Sequence, residues 1–253
     1  MMDVAAIEKL LHLLADEAAR VQMAHWRNIP AAEFKSDQSP VTIADKETES
    51  ALRALLAKHR PDDGILGEEW GNENIDNEWV WVIDPIDGTK GFMVGGPMFT
   101  TLVALCHHGR PVAGVINQPV IKERFIGIKG QKSTLNGQVI TTRDNIPLAK
   151  AVGFFSGNDL IFTDEQAAVF KAFYDKVRIK RSCYDSYAYG LLALGGVDVI
   201  CETQMAPYDR LALAPVVQGA GGVITNWRGE EISLSSGTEV LAAGSPALHQ
   251  AAL

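Results

Sequence analysis

The segment of this 253-residue sequence with the most reactive groups is WVIDPIDGTKGF, residues 81–92. The run Trp79 to Ile83 predicts a buried strand that stops at Asp84-Pro85, because proline cannot donate to a ladder. Asp87 follows three residues after Asp84, so both carboxylates are expected to project from one tight bend. Two anions so close together repel each other, and unless one keeps its proton they need a cation.

The oxygen ligands in this segment favour a hard divalent cation. Carboxylates and backbone carbonyls suit Mg²⁺, Mn²⁺ or Ca²⁺ rather than zinc. Gly88 and Thr89 come next and supply backbone N–H groups that could hold an anion, as at the start of a helix. A metal site beside such an anion cradle indicates phosphate chemistry. A single Asp-Pro or Asp-Gly is more often an ordinary turn, so the prediction depends on other acidic residues.

Three further acidic positions accompany this segment. Ile65 to Glu69 places Glu68 and a second carboxylate after an apolar pair, and Asp209 follows Pro207-Tyr208 at a predicted helix start. Asp45 lies in the first turn of a helix that Thr42 begins. Each of these alone is more often a helix cap, which the helix dipole stabilises. Their combination with residues 81–92 favours a shared site.

Taken in order, these motifs resemble the inositol monophosphatase family of metal-dependent phosphomonoesterases. The family signatures are a Gly-Glu-Glu segment, a strand ending in Asp-Pro-Ile/Leu-Asp-Gly-Thr, and a Trp/Tyr-Asp followed by a Gly-rich turn. Here they are Gly67-Glu68-Glu69, Asp84 to Thr89, and Tyr208-Asp209 leading to Gly219 to Gly222. The resemblance covers nearly the whole chain. It implies an α/β (α+β layered) fold, a sugar-phosphatase-like αβαβα sandwich similar to inositol monophosphatase and fructose-1,6-bisphosphatase.

The resemblance also implies two or three Mg²⁺ ions, with Mn²⁺ as a possible substitute. The implied ligands are Glu68, Asp84 and the carbonyl of Ile86 for the first ion, and Asp84, Asp87 and Asp209 for the second. Glu68 would help to hold a third ion through water. Gly88 and Thr89 would bind phosphate oxygens, and Thr89 with Asp45 would orient the attacking water. Bound metal lowers the pKa of water and offsets charge on the reacting oxygens, so no protein nucleophile is required.

The substrate is implied by residues outside these motifs. Lys90, Phe92, Glu123 to Gly127 and Asp185 to Tyr189 resemble the histidinol-phosphate phosphatase branch, which implies L-histidinol phosphate as substrate and a role in histidine biosynthesis. Two enzyme alternatives stay open, an inositol-1-phosphate phosphatase of broad specificity and a 3′-phosphoadenosine phosphatase. A regulatory binding protein of similar fold is the alternative outside the enzymes, and the intact set of acids argues against it.

Three residues are candidates for substrate contacts. Glu202, at the end of a predicted strand, resembles the substrate-contacting acid of the family. A carboxylate there would suit the ammonium group of histidinol and equally the hydroxyls of inositol. Arg181 and Asp185 are candidates to complete the pocket, and solvated charges beside a helix are the alternative interpretation for both.

Composition excludes several other classes of protein. The chain has 23 Lys and Arg against 31 Asp and Glu, a formal charge of −8, which disfavours nucleic acid as a substrate. No apolar run is long enough for a membrane helix, and the charged residues near the N-terminus do not fit a signal peptide. A cytoplasmic protein is therefore expected. The family resemblance implies a homodimer.

The cysteines and histidines offer no clear metal site. The three cysteines, Cys106, Cys183 and Cys201, show no close pairing and are expected to be buried small hydrophobic residues. The histidines show no HExxH or other ligand spacing. His107-His108, before Gly109, is therefore predicted to be a strand end and turn rather than a metal site.

Periodicity predicts the elements of the first half of the chain. Apolar residues from Val4 to Val21 recur at three and four positions, which predicts an amphipathic helix ending before Pro30. The helix that begins at Thr42 continues to Pro61. Strand-like runs separated by Gly and Pro turns predict a β-meander over residues 101–106, 112–116 and 124–128.

The second half alternates strands with helices, which predicts an α/β arrangement. Pro215 is expected to kink or interrupt the last of these helices. The predicted elements are strands at 151–155, 197–201 and 222–225 and helices at 164–174, 184–194 and about 209–218. The change of character predicts an N-terminal α+β subdomain over residues 1–147, with an antiparallel sheet and the metal-ligand motifs. A C-terminal α/β subdomain over residues 148–253 would complete the site within one compact unit.

Overall fold

The computed structural model describes residues 2–28, 33–34, 40–155, 164–182 and 184–253. Both predicted N-terminal helices are confirmed, α1 as Val4–His25 and α2 as Ile43–His59. The carboxylate of Asp3 caps α1, and a capping box between Thr42 and Asp45 begins α2. Pro30, the expected limit of α1, lies outside the described residues. No helix in these ranges is long and apolar enough to cross a membrane.

The larger sheet contains the strands between residues 64 and 139. Its strands are β3 Gly64–Gly67, β4 Gly71–Glu73, β5 Trp79–Asp87, β6 Thr100–His107, β7 Arg110–Gln118, β8 Glu123–Ile128, β9 Thr134–Leu135 and β10 Gln138–Val139, while β1 Glu33–Phe34 and β2 Pro40–Val41 pair separately. The order is β10-β9-β8-β7-β6-β5-β3-β4. From β5 to β10 each strand pairs antiparallel with the next, so the predicted meander is confirmed. β3 and β5 are parallel neighbours.

Strand β5 does not stop at Asp84-Pro85 as predicted. It continues to Asp87 through a bulge, since Asp84 pairs with Leu102 and Asp87 with Thr100. The bulge leaves one residue of β5 outside the ladder, so the missing N–H of Pro85 is tolerated. The Pro85 carbonyl instead accepts a hydrogen bond from the side-chain amide of Gln22 on α1, at 2.6 Å.

The smaller sheet has five strands in the order β12-β11-β13-β15-β14, and helices flank it. The elements after β10 are a 3₁₀ turn Leu148–Lys150, β11 Val152–Phe155, α4 Asp164–Tyr174, β12 Ile179–Ser182, α5 Tyr187–Ala193, β13 Val199–Glu202, α6 Pro207–Arg210, α7 Leu213–Gly219, β14 Val223–Thr225, β15 Val240–Ala243 and α8 Pro246–Ala252. A short helix α3, Thr89–Met93, precedes β6. β11 is parallel to both of its neighbours, whereas β15 is antiparallel to β13 and β14.

Several boundaries in this half differ from prediction. Helix α5 begins at Tyr187 instead of residue 184, and the helix predicted over residues 209–218 is two helices, α6 and α7, separated by Leu211 and Ala212. The interruption that Pro215 predicted is therefore present, but it comes before the proline. Pro215 lies in the first turn of α7, where a backbone N–H would have no partner within the helix.

The two sheets and the helices form five layers. On β5, Trp81 faces α1 and α2, and Val82 faces α5 and α7. On β13, Ile200 faces the same α5 and α7, while Val199 faces α4 and α8. The α/β layered αβαβα arrangement expected from the sequence is confirmed. The larger sheet ends at Val139 and the smaller begins at residue 152, while the division of the chain at residues 147 and 148 stays a prediction.

Helix α7 lies directly on the backbone of the larger sheet. A Cβ on Gly114 of β7 would come within 2.2 Å of the Ala212 carbonyl oxygen, and one on Gly127 of β8 within 2.3 Å of the Pro215 carbonyl. Real Cβ atoms do not approach other atoms so closely, so these strands need glycine at both positions. Helix α7 can therefore pack this close to the sheet only because Gly114 and Gly127 have no Cβ atom.

The described cysteines agree with the sequence prediction. Cys106 and Cys201 are free and buried, and burial raises the pKa of Cys106 to about 12. Burial also raises the pKa of Cys201, so both thiols stay protonated and behave as small core residues. Cys183 lies outside the described residues.

Candidate active site

The parallel pairing of β3 with β5 brings Glu68 and Asp84 to one edge of the larger sheet. Gly67 pairs with Ile83, and the N–H of Glu68 donates to the Ile83 carbonyl at 3.2 Å. Parallel strands end at the same edge, which is where α/β sheets commonly bind ligands. The two acids directly after these paired residues are therefore neighbours.

Asp209 reaches the same edge of the larger sheet from helix α6. The N–H of Ala206 donates to its carboxylate at 2.6 Å. One carboxylate oxygen from each of Asp84, Asp87 and Asp209 lies within 4.8 Å of the other two. The structure thus brings together three acids that the chain separates by as many as 125 residues, since 209 − 84 = 125.

These acids are crowded and largely removed from water. Burial and the charges of Glu68, Asp87 and Asp209 raise the pKa of Asp84 well above its usual range. Burial and the charge of Asp87 also raise the pKa of Asp209. The buried Arg210 follows Asp209, but its guanidinium donates to backbone carbonyls, including that of Met205 at 2.8 Å. The main charges that act on Asp84 and Asp209 are therefore those of other acids, and no ion pair within the described part of the chain offsets them.

The acid cluster fits a divalent metal. The Oδ1 atom of buried Asp84 has no hydrogen-bond partner within the described part of the chain, and a buried polar atom without a partner is rare and costly. A cation would satisfy it. The available donors are all oxygens, the donor set that Mg²⁺ prefers. Glu68, Asp84, Asp87, Asp209 and the Ile86 carbonyl are the groups that could hold such ions.

Asp87 is oriented by the loop before α5. The N–H and the hydroxyl of Ser186 both donate to Asp87 Oδ2, at 2.7 and 2.5 Å. Thr100, opposite Asp87 in the ladder, has its hydroxyl 2.5 Å from that of Ser186. Burial and the charge of Asp185 raise the pKa of Asp87 to about 7, although the bonds from Ser186 lower it. One oxygen of Asp87 is thus fixed, and the other is left for a ligand.

The turn after Asp87 needs glycine. Gly88 has φ +85°, and a Cβ there would lie 2.9 Å from an Asp185 carboxylate oxygen and 3.0 Å from the Met98 carbonyl. Only glycine adopts this left-handed conformation without strain. Gly88 is the residue before α3, a short helix that the sequence analysis did not predict. Phosphate binding there stays a prediction.

Asp45 caps α2 and also contacts the hydroxyl of Thr89. Its Oδ2 atom accepts hydrogen bonds from the N–H and hydroxyl of Thr42, at 2.8 and 2.5 Å, and so caps α2. Its Oδ1 atom lies 3.3 Å from the Thr89 hydroxyl, which donates to the Ile86 carbonyl at 2.9 Å. Burial raises the pKa of Asp45, although the bonds from Thr42 lower it.

Two of the three candidate substrate contacts lie beside the cluster. The phenol of buried Tyr189 donates to Glu202 Oε2 at 2.8 Å. Partial burial and the nearby Glu202 raise the pKa of Asp185, and Lys90 lowers it. Arg181 is exposed on β12, the edge strand, and no hydrogen bond or ion pair among the described residues joins it to the cluster. Its predicted role has no such support.

Two supporting residues were missed by reasoning from the sequence. Ser186 gave no signal there, because a serine in a turn before a helix is ordinary. Gln22 did leave a signal. It falls four positions after Ala18 on the apolar face of α1, where a buried amide needs a specific partner. Its amide holds the Pro85 carbonyl and thereby the bulge between Asp84 and Asp87.

Comparison with known proteins agrees with this geometry. Residues 3–253 match the sequence profile of the inositol monophosphatase family. The bifunctional phosphatase IMPL2, chloroplastic, of Arabidopsis thaliana is 40% identical over 95% of this chain and 72% of that protein. The histidinol-phosphatase of Chlorobaculum parvum is 30% identical over 86% of this chain and 85% of that protein.

A solved structure of an inositol monophosphatase is also similar to this chain. An inositol monophosphatase from Zymomonas mobilis is 39% identical to this chain, with a TM-score of 0.89 over 100% of this chain and 98% of that one. The sequence motifs thus agree with the family match, and the five layers agree with the solved structure. The chain belongs to the inositol monophosphatase family, whose members are phosphomonoester hydrolases.

Proposed function

We propose that this phosphatase hydrolyses L-histidinol phosphate to L-histidinol and phosphate, as a step of histidine biosynthesis. The observation that carries this proposal is the pair of carboxylates, Glu202 and Asp185, beside the acid cluster. Each raises the pKa of a nearby acid, Glu202 that of Asp185 and Asp185 that of Asp87. An ammonium group on the substrate would relieve this repulsion, whereas the uncharged hydroxyls of inositol would not.

The fixed orientation of Glu202 supports the same substrate. Burial and the charge of Glu202 raise the pKa of Tyr189, so the phenol keeps its proton and donates to that carboxylate. A carboxylate held in this way loses little conformational freedom when it binds an ammonium group. The histidinol-phosphatase relative described above supports the proposal independently.

The metal roles are part of the proposal. Glu68, Asp84 and the Ile86 carbonyl would hold one Mg²⁺ ion, and Asp84, Asp87 and Asp209 a second. Glu68 would help to hold a third ion through water, and Mn²⁺ would substitute for Mg²⁺. Bound ions would supply an activated water and offset charge on the phosphate oxygens. Asp84 then needs no hydrogen-bond donor of its own.

The remaining roles follow from the surroundings of Thr89. Its hydroxyl lies between the Ile86 carbonyl and Asp45, so it would orient the attacking water together with Asp45. The N–H groups of Gly88 and Thr89 would bind phosphate oxygens at the start of α3. Both functions use positions that the bulge and the glycine turn already fix.

The test compares phosphate release from L-histidinol phosphate and from inositol-1-phosphate, with and without Mg²⁺. We expect a higher kcat/KM for histidinol phosphate and almost no release without Mg²⁺. Equal rates for the two esters would refute the substrate assignment. Adding 3′-phosphoadenosine 5′-phosphate as a third ester tests the remaining enzyme alternative.

A single substitution tests the carboxylate pair directly. We expect Glu202→Gln to lower kcat/KM for histidinol phosphate by roughly 10–100-fold, because a charge-assisted hydrogen bond is lost. The value for inositol-1-phosphate should change much less. Glu231→Gln is the matched control, since Glu231 is exposed and pairs with Arg110 on the surface. An equal loss for both esters would show that Glu202 does not select the substrate.

Two further expectations complete the proposal. The resemblance implies a homodimer, and the composition favours a cytoplasmic enzyme. Light scattering of the purified protein would measure its mass, and a monomer at micromolar concentration would contradict the first expectation.

A further inference from the structure

A second group of metal-ligand types lies at the opposite end of β5 from the acid cluster. Glu78 directly precedes β5, and His107 and His108 lie at the end of β6. A ligand atom from each of these three residues lies within 4.8 Å of the other two. We refer to Glu78, His107 and His108 as the hairpin cluster.

Backbone geometry brings the hairpin cluster together. Trp79 pairs with His107 in the ladder between β5 and β6, and the N–H of His108 donates to the Glu78 carbonyl at 2.9 Å. His108 has φ 47° and Gly109 φ 74°, the two left-handed residues of a tight hairpin turn. The turn confirms the strand end and turn predicted for His107-His108. It also places both imidazoles beside Glu78.

The side chains of the hairpin cluster are already in contact. His107 Nε2 lies 2.8 Å from Glu78 Oε1, and the centroids of the two imidazole rings are 4.3 Å apart. The indole of Trp79 stacks on His107 at 4.1 Å and limits the rotation of that ring. The hydrogen bond with His107 lowers the pKa of Glu78, so its carboxylate is ionised at neutral pH.

We propose that Glu78, His107 and His108 form a binding site for Zn²⁺, separate from the magnesium-type acid cluster. Two imidazoles and one carboxylate are the ligands of many zinc sites, with water as the fourth ligand. Tetrahedral zinc bonds of about 2.0–2.2 Å place the ligand atoms roughly 3.3 Å apart, so the hydrogen-bonded atoms of Glu78 and His107, at 2.8 Å, must separate slightly. Rotation of the Glu78 side chain, which is 57% exposed, provides this movement without turning the stacked His107 ring.

The position of the hairpin cluster defines what zinc would do there. The ion would link the residue before β5 to the turn between β6 and β7 and so stabilise this end of the central strands of the sheet. Glu78, Trp79 and His107 line a surface cavity of about 320 Å³ that admits an ion from solvent. Lys129 lines it too, and we expect its charge only to weaken binding, because charges exposed to water are screened.

The experiment titrates Zn²⁺ into the protein in saturating Mg²⁺, by calorimetry and by thermal unfolding. For wild type we expect one zinc equivalent, together with a rise in Tm that grows with zinc concentration. His107→Gln and Glu78→Gln should each weaken this binding on the order of tenfold or more, because one of three ligands is lost. His108→Asn should do the same, and asparagine tolerates the left-handed turn.

Two controls separate the hairpin cluster from other zinc sites. His25→Gln removes a histidine that lies 2.7 Å from Glu47 and is not part of the hairpin cluster, so it should leave zinc binding unchanged. Asp84→Asn disables the acid cluster, and the zinc equivalent should remain in that variant. The proposal is overturned if wild type binds no zinc in saturating Mg²⁺, or if His107→Gln and Glu78→Gln bind it as wild type does.

Discussion

Two buried aspartates of this protein have opposite surroundings. Asp198 accepts two hydrogen bonds from the Arg143 guanidinium, at 2.9 and 2.6 Å, and a third from the N–H of Val152 at 2.7 Å. Asp84 has an oxygen without any partner among the described residues, and its charged neighbours include four other acids. Both side chains are almost fully buried, so burial alone does not distinguish a structural acid from a functional one.

The difference lies in which partner balances the charge. Glu49, also buried, follows the pattern of Asp198, since it accepts hydrogen bonds from Arg53 at 2.8 Å and from the N–H of Glu69 at 2.7 Å. Asp198 and Glu49 thus each pair with an arginine. No ion pair among the described residues joins Asp84, Asp87 or Asp209 to a basic side chain, and this imbalance favours a cation at the acid cluster.

The largest expected effect is on turnover. Asp84→Asn should reduce metal-dependent phosphate release on the order of 10³-fold or more, because a metal ligand worth several kcal/mol in the transition state is lost. Asp198→Asn is the matched control and should keep its turnover per folded molecule. Steady-state kinetics at several Mg²⁺ concentrations measures both. Unchanged turnover in Asp84→Asn would remove the distinction between the two acids.

The second effect is a metal-dependent stability that varies with pH. The pKa of Asp87 in the folded protein, about 7, is above its unfolded value, so the metal-free protein binds more protons folded than unfolded. Its stability should therefore fall as pH rises from about 4 to 7. Mg²⁺ at one hundred times its dissociation constant at pH 8 adds about 2.7 kcal/mol, roughly 5–10 °C in Tm. At the same Mg²⁺ concentration we expect a smaller shift at pH 6, because protons compete for the ligand, and thermal unfolding measures both shifts.

The opposite result would contradict the assignment of the acid cluster. A shift that is the same at both pH values, or that persists in Asp209→Asn, would place the bound Mg²⁺ elsewhere. Asp175→Asn is a suitable control, because Asp175 is exposed and pairs with Lys171 on the surface.

The third effect concerns the structural acid. Asp198→Asn should cost about 2 kcal/mol of unfolding free energy, because a charge-assisted pair with Arg143 becomes a neutral contact. Urea unfolding in the presence of Mg²⁺ measures this loss. The exposed pair of Lys171 with Asp175 should contribute less than about 1 kcal/mol. Equal losses in Asp198→Asn and Asp175→Asn would show that burial does not strengthen the structural pair.

The smallest effect tests how the acid cluster is oriented. Ser186→Ala removes the hydroxyl that donates to Asp87 at 2.5 Å but keeps the backbone N–H at 2.7 Å. We expect Mg²⁺ affinity to fall about tenfold, as when other groups that orient metal ligands are removed. Calorimetry on the metal-free protein measures the change. Ser50→Ala, which removes an exposed hydroxyl on α2, should have no effect, and Ser186→Thr should restore binding.

The sequence predicted the local parts of the site well. Asp84 and Asp87 lie close in the chain, so a local irregularity, here a bulge within one strand, is enough to bring them together. The capping role of Asp45 was also readable, because Thr42 and Asp45 have the spacing of a capping box. Asp209 is different. Its place beside Asp84 was inferred from the family resemblance, since no spacing rule relates residues so far apart.

The errors have physical causes at particular residues. Pro85 predicted a strand end, but the strand continues past this proline through a bulge. Gln22 donates a hydrogen bond to the Pro85 carbonyl, and β6 pairs with Asp84 and Asp87 on either side of the bulge. Short edge strands such as β12, with mostly exposed side chains, leave no alternating apolar pattern to detect. The position of the Ser186 hydroxyl depends on how α5 packs against the larger sheet, and no local sequence pattern predicts that packing.

Gly114 and Gly127 affect the geometry of the site, although both lie outside the acid cluster. Helix α7 rests on their bare backbone, and α6, which carries Asp209, ends just before it. Any side chain at either glycine would lift α7 and pull Asp209 away from Asp84. A mutational tolerance map of this enzyme should therefore contain two kinds of forbidden position: the acids of the cluster, and the glycines within the sheet that set the distances between those acids.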